Sequence, residues 1–490
     1  MNTVPEKRRR LSPRRVHLWL EQRLGVNAIW SALFLRKIPY GVNWLYTLGF
    51  VNVTLFLIQA VTGTILAMYY SPSPDHAYGS VQYIMTELPF GWLIRGVHHW
   101  GASVMVVTVA FHALAVFIIA AYKYPREATW LGGVALLLVT LGFGFTGYLL
   151  PWDEKAYWAT TVGTNMAGTV PLIGGALVRI LRGGAELGAL TLTRFFAAHV
   201  LLFPASIAAL IGIHLFMVIR QGVSVPPRLW DRSAQKRLVS WKKPETSPVG
   251  HGREDDYHRR YETFKANGRP FFPDVVFEDA VMAVLVTLLV LGLGMFVAAP
   301  LEAQADPTNT SYVPRPEWYF MFLFQMLKYF PGSLEWVGSI VLPSLIVLVL
   351  VLLPFIDRRP WRSPFSRPFA MGAGAVVVVG IVGLTALAFQ STPSSTAGTE
   401  GASANLTSTQ LAGERLVEAQ GCTGCHMING KGGSVGPPLN GVGSRRDASS
   451  IQSYIENPKS QNPAAKMPAF SPPLSQQQVE EIAQYLLTLK

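Results

Sequence analysis

Seven apolar runs, near residues 44–69, 94–121, 129–150, 197–219, 277–300, 335–356 and 369–390, constrain this 490-residue chain more than any other feature. Each is long enough to cross a hydrocarbon layer of about 30 Å as a helix. In lipid, only helices and closed barrels satisfy every backbone polar group. The expected fold class is therefore all-α: a polytopic membrane helical bundle of seven transmembrane helices. A composition of 50% hydrophobic and 14% charged residues agrees, being too apolar for an ordinary soluble enzyme.

The net charge of +12 could suggest nucleic acid, but its distribution excludes that partner. About 27 of the 41 Lys and Arg fall in alternate connections: the N-terminal segment, the 122–128 turn, the 220–272 loop and the 357–368 turn. The positive-inside rule places these connections and the N-terminus in the cytoplasm, and the C-terminus outside a bacterial cytoplasmic membrane. Arg8, Arg9, Arg10, Arg14 and Arg15 lead into an amphipathic stretch, Val16–Leu35, which reads as a helix lying on the lipid surface rather than a cleavable signal.

Composition shifts suggest further divisions. Residues 1–43 form the cytoplasmic N-terminal segment, 44–222 a four-helix domain, 223–276 a cytoplasmic connecting loop and 277–390 a three-helix domain. The Ser/Thr/Gly/Ala-rich residues 391–410 read as a flexible linker, and 411–490 as a small α-helical domain.

That last domain holds the only two cysteines, in Cys422-Thr423-Gly424-Cys425-His426. This C-x-x-C-H arrangement fixes a haem through two thioethers while the adjacent His supplies an axial ligand. A disulfide or a zinc half-site would leave His426 without a role and lacks a second pair of ligands. A thioether opposite the His raises the potential. Met467 is the candidate, because Met427 directly follows His426 and cannot reach the other face. The Pro438–Leu439 region is expected to pack against the ring. The domain resembles a small class I cytochrome c.

A histidine within a membrane span is costly and is a functional candidate by default. His98 and His112 lie 14 residues apart in the second run, and His199 and His214 lie 15 apart in the fourth. In an α-helix these intervals miss four full turns by about 40° and 60°, so each pair keeps to one face and spans roughly 21–22 Å. Facing helices with such pairs can clamp two haems by bis-His ligation. His99 points nearly opposite His112 and is set aside. Gly49 with Gly63, and Gly133 with Gly147, repeat at the same 14-residue interval, and bare positions at those levels would admit porphyrin edges.

These residues carry a resemblance to the cytochrome b of cytochrome bc and bf complexes over about residues 37–390. Further motifs support it: Gly91-Trp92-Leu93-Ile94-Arg95, Tyr122-Lys123-Tyr124-Pro125-Arg126-Glu127, Gly147-Tyr148-Leu149-Leu150-Pro151-Trp152, Thr191-Leu192-Thr193-Arg194-Phe195-Phe196 and, as the family's quinol-oxidation motif, Pro316-Glu317-Trp318-Tyr319. The 15-residue interval and seven spans are similar to the chloroplast-type and Gram-positive branch, whose four-helix and three-helix parts are here fused. That branch usually carries a haem-binding cysteine where this chain has Thr47, so covalent attachment there is not expected.

The resemblance implies two non-covalent haems b, the outer on His98 and His199 and the inner on His112 and His214, besides the covalent haem c on His426 and Met467. Arg95 and Arg194 read as propionate partners or as ordinary surface charges. The resemblance further implies a quinol:cytochrome c oxidoreductase coupled to proton translocation, and a separate Rieske iron–sulfur protein, since both cysteines are committed to haem. The quinone pool, a downstream cytochrome c or oxidase, and a homodimeric complex are the other implied partners. Glu317 would accept a quinol proton, with Tyr319 and Tyr148 shaping the pocket. Arg220 and Asp274 are candidates for the quinone-reduction side, or interface charges. The competing reading is a di-haem conduit without bifurcation, which has no need of the Glu317 motif.

Overall fold

The computed structural model describes residues 12–232, 252–309, 312, 314–330, 334–390, 406–428, 431–432, 436–462, 467–470 and 474–489. The linker residues 391–405 and the arginines at 8–10 lie outside them. The fold is mostly helical, with two short antiparallel strand pairs among the described residues, Lys37–Ile38 with Arg269–Pro270 and Met427–Ile428 with Lys431–Gly432.

Among the described residues, seven helices are long and apolar enough to cross a membrane: Trp44–Ala67, Gly91–Ile118, Glu127–Tyr148, Ala189–Gln221, Phe271–Phe296, Val337–Ile356 and Pro368–Gln390. They are called spans 1 to 7. All seven expected spans are present, and the ends shift where polarity hides a helix. Span 4 begins at Ala189 because Thr191, Thr193 and Arg194 mask its first turns from a hydropathy reading.

Span 4 also holds a π turn, Ala198–Leu202, immediately before Pro204. Proline has no N–H to donate and its ring crowds the carbonyl four residues back, so a wider turn ahead of it relieves both problems. Span 6 repeats the device, with Val337–Val341 ahead of Pro343. In span 4 the π turn absorbs one residue, so the 15-residue interval from His199 to His214 takes nearly the phase of a 14-residue interval in a plain α-helix.

The chain divides into two compact units. The first comprises Met1–Leu150, Leu192–Pro300 and Val341–Val379. Its apolar centre is Val51, Leu55, Val97, Met105, Ile207, Val286 and Val290. Small residues let membrane helices approach closely. Spans 2 and 5 meet in this way: a Cβ on Gly96 would lie 2.8 Å from the carbonyl oxygen of Gly294.

One end of this unit is tied by a buried polar latch between the 119–126 turn and the 357–367 turn. Asp357 accepts from Lys123 Nζ at 2.7 Å, from Tyr122 Oη at 2.5 Å and from Arg367 Nη1 at 3.3 Å. Burial by itself would raise the Asp357 pKa, but the hydrogen bonds from Lys123 and Tyr122 outweigh it and hold the carboxyl below the usual carboxylate range. Arg126 closes the end of span 4, donating through Nε to the Gly222 carbonyl at 3.0 Å and through Nη2 to those of Gln221 and Val223. These are among the carbonyls that a helix terminus leaves without internal partners.

The second unit comprises Pro151–Thr191, Leu301–Ile340 and Gly380–Lys490. Helices Glu154–Gly168 and Gly174–Arg182 pack as a hairpin, fixed by Arg182, which donates to Thr164 Oγ1 at 2.8 Å and Asn165 Oδ1 at 2.8 Å. Further along, helices Ser408–Ala419 and Gln476–Leu486 cross closely around a core of Val417, Ile451, Ile455, Val479, Ile482 and Leu486. Gly413 permits that crossing, since a Cβ there would lie 1.9 Å from the Glu481 carbonyl oxygen.

Candidate haem and quinone sites

The two span histidines nearest one end of the bundle come together. The rings of His98 and His199 have centroids 6.3 Å apart and planes at 75°. Two metal–nitrogen bonds of about 2 Å plus the two ring radii fill that separation, so one iron fits between them.

Each ring is turned for this task by its second nitrogen. Thr62 donates its hydroxyl hydrogen to the Ile58 carbonyl at 2.7 Å, so its oxygen accepts from His98 Nδ1 at 2.9 Å. His199 Nδ1 donates to the Phe143 carbonyl at 3.2 Å, with Thr146 Oγ1 at 3.3 Å. Committing Nδ1 to a donor role fixes the tautomer and leaves Nε2 as the atom that could hold a metal. The neighbouring glycines form the cradle: a Cβ on Gly63 would lie 2.9 Å from His98 Cε1, and one on Gly147 2.5 Å from His199 Cε1. His112 and His214 sit four turns along the same two helices. Cβ atoms on Gly49 and Gly133 would each lie 3.5 Å from Cε1 of the respective ring, an ordinary contact.

In the small domain, His426 Nδ1 donates to the Pro437 carbonyl at 2.7 Å, again leaving Nε2. A side chain on Gly436 would strike this ring, its Cβ falling 2.5 Å from Cε1. Cys422 is half-buried and Cys425 exposed, and the two are not joined in a disulfide. Met467 packs against the domain's core.

Three family models match the chain: "Cytochrome b/b6/petB" over residues 34–222, "Cytochrome b(C-terminal)/b6/petD" over 304–404 and "Cytochrome c" over 410–490. Cytochrome b6 of Emiliania huxleyi is 44% identical over 211 residues, which are 43% of this chain and 98% of that protein. Cytochrome b6 of Synechococcus elongatus is 43% identical over 212 residues, 43% of this chain and 99% of the relative. The chain belongs to the cytochrome b family. A solved structure described as a hyperthermophilic respiratory Complex III superposes with a TM-score of 0.63 at 26% identity, covering 77% of this chain and 91% of that one. The protein is thus a cytochrome b of a bc-type complex with a cytochrome c domain at its end, and these domains imply haem b and haem c.

Within this cytochrome b, the remaining candidates are placed as follows. Arg95 is buried and donates to the Ala299 carbonyl at 3.0 Å and the Pro300 carbonyl at 2.6 Å, clasping the chain beyond span 5. Arg194 is exposed in the first turns of span 4. Glu317 and Tyr319 lie together in the second unit, where Glu317 precedes the short helix Trp318–Phe320 and pairs with Lys155. Tyr148 belongs to the first unit, its ring 5.7 Å from that of Phe145.

At the opposite end of the His112 and His214 helices, Arg220 lines a cavity of about 470 Å³. Tyr124, Met217, Tyr257, His258 and Lys265 share its wall, and Asp274 does not. Helix Gly252–Ala266 supplies three of these residues and was not legible as part of a site. Thr62, Thr146 and Pro437 were also missed. A signal for the two threonines existed, since Thr62-Gly63 and Thr146-Gly147 repeat one dipeptide at the same level of two helices.

Proposed function

We propose that this chain is the cytochrome b subunit of a quinol:cytochrome c oxidoreductase that oxidises quinol on the outer side of the membrane and conserves energy by proton translocation. Two haems b on the four span histidines and a haem c on Cys422, Cys425, His426 and Met467 would supply one-electron carriers across and outside the membrane. The chain's own residues provide the rest.

Glu317 is the proton acceptor for quinol, in a loop segment on the side opposite the basic connections. Tyr319 beside it shapes the pocket. The cavity at Arg220 serves quinone reduction: its cationic rim faces the cytoplasm, where protons are taken up, and Met217 in its wall stands one turn from His214. Asp274, outside that wall, is proposed as an interface charge. Both cysteines belong to the haem-attachment motif, so an iron–sulfur partner of the Rieske type comes as a separate chain, with a homodimeric complex and a downstream cytochrome c or oxidase as its further partners.

The observation that carries this reading is the pairing of His98 with His199 at 6.3 Å, each ring anchored through Nδ1. The experiment is a redox-titrated visible spectrum with pyridine haemochrome quantitation on the purified chain. Two haems b per haem c, with the b haems at separated potentials, are expected; one haem b or none overturns it.

A further inference from the structure

The acidic residues around Glu317 differ in what holds them. Asp153 caps helix Glu154–Gly168, accepting from Ala156 N at 2.8 Å and, through its other oxygen, from Glu302 N at 3.1 Å. Glu154 accepts from Trp158 Nε1 and Asn309 Nδ2, both at 2.9 Å. Glu302 accepts from the Tyr312 hydroxyl at 2.6 Å. These three carboxylates are met by neutral donors. Among the described residues, Glu317 is the one of the four that pairs with a cation: its Oε1 lies 2.7 Å from Lys155 Nζ, and the side chains of Lys155 and Glu317 are largely covered, at 24% and 14% exposure respectively.

Local structure does not require that pair. Glu317 occupies the N-cap position of Trp318–Phe320, where a carboxylate could cap the first backbone N–H groups, yet its side chain makes no capping bond. Lys155, in turn, is held in place from below. Its helix start is tied to residues 302–305 through Glu154 N to the Ala303 carbonyl at 2.9 Å and Ala305 N to the Trp152 carbonyl at 3.1 Å. The helix that carries Lys155 is thus anchored, and its ammonium meets a carboxylate that makes no capping bond on its own helix.

We infer that Lys155 is a positioning residue for quinol oxidation, holding Glu317 in one orientation until the quinol proton arrives. The inference rests on the assignment of Glu317 as proton acceptor. In the step itself, the quinol O–H bond breaks and a carboxyl O–H forms on Glu317, while the quinol's electron leaves to the iron–sulfur partner. Neutralising the carboxylate removes most of its attraction for Lys155. The pair then opens, and the protonated side chain is free to turn toward water. Lys155 itself neither gains nor loses a proton.

The test uses the assembled complex in native membranes, with haem content measured for every variant. E317Q is expected to lower kcat about 100-fold or more. K155Q is expected to lower kcat about fivefold, the rate equivalent of a partly exposed ion pair, with KM for quinol within about twofold. K155R should restore most of the loss, and K155Q should add nothing in the E317Q background. If K155Q reduces haem content, K155M, which keeps the aliphatic stem, takes its place. A normal K155Q beside a crippled E317Q overturns the inference alone, as does an equal K155Q loss in the E317Q background. A normal E317Q overturns the assignment of the site, and the inference with it.

Discussion

Gly147 leaves His199 room for a hydrogen and nothing larger, since a Cβ there would lie 2.5 Å from the ring's Cε1. The corresponding distance from Gly133 to His214 is 3.5 Å. Alanine at 147 must therefore displace the His199 ring, whereas alanine at 133 meets its histidine at ordinary contact. G147A is expected to lose one of the two b haems and G133A to keep both. Pyridine haemochrome ratios and the reduced-minus-oxidised spectrum distinguish the two variants.

The latch around Asp357 gives the first unit an acid-sensitive tie. Its carboxyl is held below the usual range, so the stability it contributes is full above the unfolded value of about 3.9 and is lost as pH falls through the lower native value. Melting temperatures of the detergent-solubilised chain should be flat in this term from pH 7 to about 5 and should fall steeply at lower pH. D357N leaves Lys123 and Arg367 facing each other without an anion, at side-chain exposures of 7% and 1%. It should cost about 3 kcal/mol at neutral pH. A D357N protein that melts like the parent at pH 7 would show that the latch contributes nothing.

Sequence reasoning reached different depths in different parts of the chain. The seven spans were legible because lipid forces each crossing to be a long apolar run, and no tertiary contact is needed to recognise one. The start of span 4 was not, because its first turns carry Thr191, Thr193 and Arg194. As a plain α-helix the interval from His199 to His214 keeps to one face but passes four turns by about 60°, a different phase from the 14-residue interval of His98 and His112. The π turn before Pro204 corrects it, and only Pro204 itself hinted at that irregularity. Thr62 and Thr146 act through ring nitrogens on other helices, 36 and 53 residues away, so their role emerges only when the helices pack. Lys155 and Glu317 are 162 residues apart, and no local pattern announces their pairing.

The wall of the Arg220 cavity depends on a glycine. Gly222 has φ +71°, and a Cβ there would also lie 2.0 Å from the Tyr261 hydroxyl, which donates to the Val223 carbonyl at 3.1 Å. With ψ at 172° this is a backbone region essentially restricted to glycine, costing another residue about 1–3 kcal/mol, and the Tyr261 ring would have to move as well. G222A should detach helix Gly252–Ala266 from the end of span 4. Limited proteolysis of inside-out vesicles is expected to cut within 252–266 faster in G222A than in the parent, with haem content unchanged. Equal cutting rates would mean that the helix is held by other contacts, such as the Arg126 guanidinium lying 5.6 Å from the Tyr261 ring.

Met467 offers a test of the small domain that leaves its covalent chemistry untouched. On the proposed assignment, attachment would depend on Cys422 and Cys425, while the His426 ring is oriented by the Pro437 carbonyl, so neither requires the methionine. A thioether ligand opposite histidine raises the potential of a c-type haem. M467L preserves the volume packed against the core at a cost of less than about 1.5 kcal/mol. The variant should keep its covalent haem on denaturing gels while its midpoint potential falls, as read by redox titration of the c-band. An unchanged potential would remove Met467 from the ligand set and direct attention to another residue on that face of the haem.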